Sequence, residues 1–208
     1  MYPYPSPYGP RRARRLTPWN ELLDLLISWA ALTLAFGAGA LIRGDVRYLA
    51  ASALAVATAF VGHELAHRTV ARRYGMLAAY KANYYFLAFT VAIALVTAKY
   101  AGAPFVIAAP GAVVVMPVFG PPHPYVSMLI AAAGPLTNEV IGVAAVAASY
   151  AVSPAIAPYL LLVGRVNLWL GFFNLLPIPP MDGWQVMRYS LTAWAAMIVL
   201  ALALLITL

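Results

Sequence analysis

The sequence predicts an all-α polytopic membrane protein, and three observations carry that prediction. Of its 208 residues 64% are hydrophobic and 9% are charged, whereas a soluble domain is about half apolar and a quarter charged. Apolar runs recur along the chain at lengths near the roughly 20 residues that a helix needs to cross a bilayer. The basic residues gather beside those runs and not in a separate polar domain. Mean hydropathy is +0.84. About six transmembrane helices are expected, with a short re-entrant element, in β-hairpin form or as two short crossings, between the second span and the span that follows it.

Residues 1–18 are Pro- and Tyr-rich and then basic, which predicts a disordered cytosolic tail against anionic headgroups. Residues 19–208 are expected to form a single transmembrane domain. The first span runs from about Glu21 to Ile42, and Arg43–Arg47 forms a loop. The second starts near Leu49 and reaches the basic run Arg68 to Arg73. Residues 84–98 are apolar but short for a crossing. Residues 103–119 place Val/Ile runs on either side of Pro110-Gly111, which predicts two short strands and a turn. Further spans are expected at about Tyr125–Tyr150, Ala157–Leu176 and Tyr189–Leu208, and no internal repeat is visible.

Charge places the chain in the membrane. The net charge is +7, but no soluble stripe of Lys/Arg interleaved with aromatics suggests nucleic acid. No cleavable signal peptide is expected, because the span after Arg11–Arg15 is too long for one. Arg11, Arg12, Arg14, Arg15, Arg68, Arg72, Arg73, Lys81 and Arg188 fall on one side, against Arg43 and Arg47 on the other. That asymmetry makes the first side cytosolic in a multi-pass protein of the cell membrane. The chain has no cysteine, so thiolate metal sites, thiol nucleophiles and disulfides are excluded.

The acids Glu21, Asp24 and Asp45 sit at span ends, where charge costs little. Glu64, Glu139 and Asp182 lie in or against apolar segments, as do His63, His67 and Arg165. Each such charge costs about 2.5–3.5 kcal/mol or more at mid-bilayer, so these residues should face a cavity, a metal or one another. Glu139 and Arg165 fall near mid-membrane on neighbouring spans, and a buried ion pair between them is expected.

His63-Glu64-Leu65-Ala66-His67 is an H-E-x-x-H run. On a helix its two imidazoles share a face and can reach one tetrahedral zinc, while Glu64 is offset toward a metal-bound water. A shuffle of this composition produces the run with a probability of about four in ten thousand. If Arg72 marks the cytosolic interface, His67 and His63 lie about 8 and 14 Å beneath it. The site is then submerged and must open toward the cytosol. A third ligand is needed, and the candidates are Asp182, Glu139 and His123. Asp182 is favoured because it follows the helix-breaking Pro177, Pro179 and Pro180 on irregular backbone that can line a cavity.

The H-E-L-A-H run (63–67) and N-L-L-P-I-P-P-M-D-G (174–183) together closely resemble the motifs of the site-2 protease family of intramembrane zinc metalloproteases. The second motif matches every fixed position of N-x-x-P-x-P-x-x-D-G. The run A-G-P-L-T-N (133–138) resembles a third family feature, and the resemblance spans roughly residues 49–190. It implies that His63, His67 and Asp182 ligate zinc and that Glu64 is the general base. It implies that Asn174 holds the substrate carbonyl or oxyanion, and it gives Asn138 no defined role. Residues 103–119 look like the family's membrane-associated strands, which would offer an edge to an unwound substrate. The expected partners are transmembrane protein substrates and the lipid bilayer, in regulated intramembrane proteolysis. Trp184 stands where many relatives carry a second Gly, and the chain shows neither a PDZ nor a regulatory nucleotide-binding domain. Two other functions fit ionisable residues in spans, a membrane metal-ion transporter and a catalytically silent scaffold. The retained Glu64 argues against both. Oligomeric state is not legible.

Overall fold

The computed structural model describes residues 18–107, 111–117 and 122–207. The expected tail lies outside these residues except for Pro18, and so does the Pro110 turn. Helix α1 (Pro18–Phe36) and the short α2 (Ala38–Arg43) make the first apolar rod. They are separated at Gly37, where a Cβ would lie 2.6 Å from Leu49 Cδ1 and 2.8 Å from the Thr33 carbonyl oxygen. Gly44 (φ +71°) turns the chain, and Asp45 then caps α3 (Val46–Val56) by accepting from the Tyr48 N–H at 3.0 Å.

α3 continues through a π-helical turn (Ala57–Val61) into α4 (Gly62–Arg73). The resulting 28-residue apolar rod is about 42 Å long, more than the roughly 30 Å of hydrocarbon in a bilayer. The π turn ends at Val61, with only Gly62 before the H-E-x-x-H run, so it sets the rotational phase of those side chains. Asn167 anchors it from outside, donating from Nδ2 to Thr58 Oγ1 at 2.9 Å.

After α4 come strand β1 (Leu77–Ala82), helix α5 (Tyr84–Tyr100, capped by Asn83) and strand β2 (Gly111–Met116). The strands pair antiparallel from Leu77↔Met116 to Ala82↔Gly111. This corrects the expected hairpin: a short antiparallel sheet exists, but its two strands flank α5 and do not both come from 103–119. Residues 103–107 lack a strand partner because α5 already holds them. Thr97 Oγ1 accepts from the Phe105 N–H at 2.8 Å, and Thr90 Oγ1 donates to the Ile107 carbonyl at 2.9 Å. The chain thus leaves along α5 and returns in extended form beside it, so the excursion starts and ends at the same sheet.

The outer edge of β1 is sealed by side chains. Arg72 donates to the Ala78 carbonyl at 2.9 Å. Glu21 accepts from the Tyr80 N–H at 3.2 Å, and Asp24 from the Ala82 N–H at 3.3 Å. Asp24 also pairs with Lys81 Nζ at 2.6 Å and with the Tyr84 hydroxyl, while Glu21 pairs with Arg68 Nε at 3.2 Å. The two acids of α1 are therefore buried and serve as caps on a strand edge, not as solvated span ends. Unpaired strand edges invite another chain, and this one is closed. The groups of β2 that point outward belong to the register partners 111, 113 and 115.

α6 (Pro124–Ser149) and α7 (Ala157–Asn174) pack antiparallel through small residues. A Cβ at Gly142 would lie 2.6 Å from Leu168 Cγ, and one at Gly164 would lie 2.6 Å from Val146 Cγ2. Close backbone approach of this kind drives helix packing where lipid removes the hydrophobic incentive. The expected Glu139–Arg165 pair does not form. Glu139 lies opposite Gly171 (3.9 Å to a Cβ placed there) and keeps a buried, unpartnered Oε1, whereas Arg165 is exposed. In this antiparallel register Arg165 sits about 9 Å farther along α7 than the point facing Glu139.

Residues 175–181 are irregular, and α8 (Asp182–Tyr189) and α9 (Leu191–Ile206) complete the chain. Trp194 Nε1 ties α9 to the Leu175 carbonyl at 2.7 Å. The core joins Leu32, Ala55, Phe60, Tyr80, Leu87, Val163 and Leu170. Large apolar residues also cover the outside, among them Leu23, Ile27, Val140, Val199 and Ile206. A rod apolar on both faces is at home in lipid. Two helices, Val46–Arg73 and Pro124–Ser149, are long and apolar enough to cross a membrane, while α5 and α9 are shorter.

Asp24→Ala removes the acceptor for Lys81, Tyr84 and the Ala82 N–H at once. It should destabilise the detergent-solubilised protein by about 1–3 kcal/mol, discounted because the Lys81 head is half exposed. Thermal unfolding checks this, and Lys81→Ala should lower the midpoint less.

Candidate metal centre and active site

His63 and His67 project from one face of α4, as their i, i+4 spacing requires. Their Nε2 atoms lie 2.9 Å apart, and each lies 3.2 Å from Asp182 Oδ2. Both rings are buried, and the Asp182 side chain is 20% exposed. Asp182 reaches them from the first residue of α8, so the irregular stretch expected around it ends one residue earlier, at Met181. Of the three candidates for third ligand, Asp182 is the one placed beside the two imidazoles. His123 instead caps α6, accepting from the Tyr125 N–H at 3.2 Å, and Glu139 faces α7. Among the described residues, His63, His67 and Asp182 form the group able to hold a metal ion.

The donor chemistry fits a divalent cation. His67 Nδ1 donates to the Ile130 carbonyl at 2.6 Å, which places the proton of the neutral ring on Nδ1 and leaves a lone pair on Nε2. That lone pair faces a carboxylate oxygen and a second imidazole nitrogen. Three acceptors crowded in a buried site repel one another unless a positive charge lies between them. Zinc bonds of 2.0–2.1 Å in a tetrahedron would separate such donors by about 3.3–3.4 Å, close to the triangle seen.

Space for the rings comes from Gly134. A Cβ there would lie 2.6 Å from both Cε1 and Nε2 of His63 and closer still to His67 Nε2. Gly183 does the same for α8: a Cβ there would lie 2.7 Å from Leu175 Cα and nearer to the Leu175 carbonyl. Both glycines fall within the sequence motifs, where Gly183 reads only as part of the irregular backbone at Asp182 and Gly134 has no assigned role. Small residues at fixed offsets from the acidic and amide positions were the available signal.

Glu64 is buried beside the ligand pair, with Oε2 unpartnered, and the Val113 backbone of β2 faces its carboxylate. Val113 is a register partner of Tyr80, whose N–H points out of the sheet toward Glu21. The edge of β2 away from β1 therefore meets Glu64 at Val113. Asn174 ends α7 half-buried, its Nδ2 donating to the Leu170 carbonyl at 3.0 Å, and no hydrogen bond joins it to the three ligand candidates. Asn138 is fully buried on α6.

Comparison with known proteins bears on this geometry. Residues 151–206, which include the second motif, match the sequence profile of "Peptidase family M50". The chain is 35% identical over 178 residues to "Putative zinc metalloprotease MJ0611" of Methanocaldococcus jannaschii, covering 85% of this chain and 87% of that protein. No solved structure matches.

Gly134→Ala puts a methyl group where both imidazole edges sit. The purified variant should lose bound zinc by elemental analysis while keeping its helical circular dichroism. Zinc retained at the level of the unaltered protein would show that the rings do not need this space.

Proposed function

Since the chain belongs to peptidase family M50, the site-2 protease family, and is a metalloprotease, we propose that it hydrolyses peptide bonds within or near transmembrane segments of membrane proteins. The observation that carries this reading is the convergence of His63, His67 and Asp182 with Glu64 buried beside them. The carboxylate sits next to the three donors without belonging to the triangle, which is where a proton carrier for hydrolysis belongs and where an ion pathway has no use for one.

His63, His67 and Asp182 would hold the zinc, which when bound would supply Lewis-acid chemistry toward water and a peptide carbonyl. Glu64 takes the proton from the attacking water and passes it to the leaving amine. Its burial keeps bulk water from competing for that proton. Asn174 offers an amide to the oxyanion at the mouth of the 175–181 turn. The β2 edge holds the substrate. Its outward groups at 111, 113 and 115 are those a third strand would pair with, and the sealed β1 edge leaves the substrate no competing register. A helical substrate must unwind to use this edge, which favours Gly, Pro or polar residues at the cut.

The reading extends to topology: a multi-pass protein of the cell membrane, its site open to the cytosol. α4 is unbroken from His63 to Arg73, so His67 and His63 lie about 8 and 14 Å along the axis from Arg72, which supports a submerged site. Arg72 and Arg73 end α4, Lys81 lies in β1 and Arg188 in the last turn of α8, while Arg43 ends α2 and Arg47 starts α3, at the opposite end of the α3–α4 rod from Arg72. That distribution supports a cytosolic face at the site.

Purified protein should cleave single-span substrates in detergent or proteoliposomes, and Glu64→Gln should lower kcat by at least about 100-fold while retaining zinc. Equal product from the Gln variant would remove the mechanism; loss of its zinc would make Glu64 a ligand instead.

A further inference from the structure

The two histidines are not equally served. His67 Nδ1 has the Ile130 carbonyl at 2.6 Å, whereas His63 Nδ1 is buried without a hydrogen-bond partner. Asn138 is 0% exposed, and both its Oδ1 and its Nδ2 also lack partners. Ile130, Gly134 and Asn138 are four residues apart and share one face of α6. That face lies against α4: Ile130 meets His67, and Gly134 meets both rings. Because rising numbers on α6 run toward falling numbers on α4, the next turn, Asn138, comes level with His63, and its carboxamide faces that ring. From behind, α7 closes the space, since a Cβ on Gly171 would lie 3.2 Å from Asn138 Cβ. The amide cannot turn to water, and a buried polar group without a partner is costly.

Resting on the metal reading above, we propose that Asn138 is the positioning residue for His63, its Oδ1 accepting the Nδ1–H. The contact fixes the tautomer that leaves the Nε2 lone pair toward His67 and Asp182, and it holds the ring in the plane a metal needs. α6 then orients both ligands of α4 from a single face, one through a backbone carbonyl and one through a side-chain amide, with Gly134 between them. Histidine ligands commonly donate their second nitrogen in this way, and losing the acceptor weakens metal binding by about 10–100-fold.

The test is zinc retention by the full-length protein in detergent against a graded series of chelators. Asn138→Ala should lose zinc at about 10–100-fold lower chelator strength, and Asn138→Asp, which keeps an acceptor oxygen, should recover most of that loss. Asn138→Ala holding zinc as tightly as the unaltered protein would overturn the assignment. So would an Asp variant that is folded and as weak as Ala. Histidine side-chain nitrogen spectra of the unaltered zinc-loaded protein test it without any variant. They should show His63 protonated and slowly exchanging at Nδ1, and a ring protonated at Nε2 would overturn it. Unaltered protein that binds no zinc would bring down the metal reading along with this one.

Discussion

Two imidazole nitrogens and a carboxylate oxygen, from stretches of chain more than a hundred residues apart, meet within 3.2 Å of one another, an arrangement that a cation between them would relieve. The rest of the molecule serves that meeting. The π turn sets the phase of α4, Gly134 clears the space for the rings, and the Ile130 carbonyl fixes one tautomer. Gly183 lets α8 approach Leu175 closely enough for Asp182 to arrive. Each is a steric or hydrogen-bonding requirement on a single atom, and each belongs to an element that would otherwise be an ordinary apolar helix.

A second constraint concerns backbone groups. A two-stranded sheet next to lipid exposes two edges, and unsatisfied N–H and C=O groups are expensive there. On β1 the solution is electrostatic: Glu21, Asp24 and Arg72 close the edge, with Lys81 and Arg68 balancing the acids. On β2 the outward-pointing Val113 faces Glu64. One edge closed and one left beside the buried carboxylate gives the sheet a direction. It also couples α1 to the site, because two of the three caps on β1, Glu21 and Asp24, come from the first helix.

Legibility in the sequence followed the range of the physics. The grouping of His63, His67 and Asp182 was legible because i, i+4 spacing on a helix and a proline-broken turn before Asp182 are local patterns with few alternatives. Helix positions were legible from apolar runs, and two long apolar helices stand where spans were expected. The sheet was half legible: the Val run at 113–115 marked β2, but its partner β1 reads as an aromatic, polar connector. What selects β1 is non-local, the hold of Thr90 and Thr97 on residues 105 and 107 and the carboxylates of α1. The Glu139–Arg165 pair failed for a related reason. Depth counted from span ends cannot supply the register of two packed helices, which Gly142, Gly164 and Gly171 set. Glu21 and Asp24 looked like cheap terminal charges because their partners are more than forty residues away.

X-ray absorption at the zinc edge of the purified, intact protein tests the central claim most directly. The account predicts one zinc per chain with a first shell of nitrogen and oxygen at about 2.0–2.1 Å and the multiple-scattering pattern of two imidazoles. A protein without zinc, or a shell lacking the imidazole pattern, would contradict it.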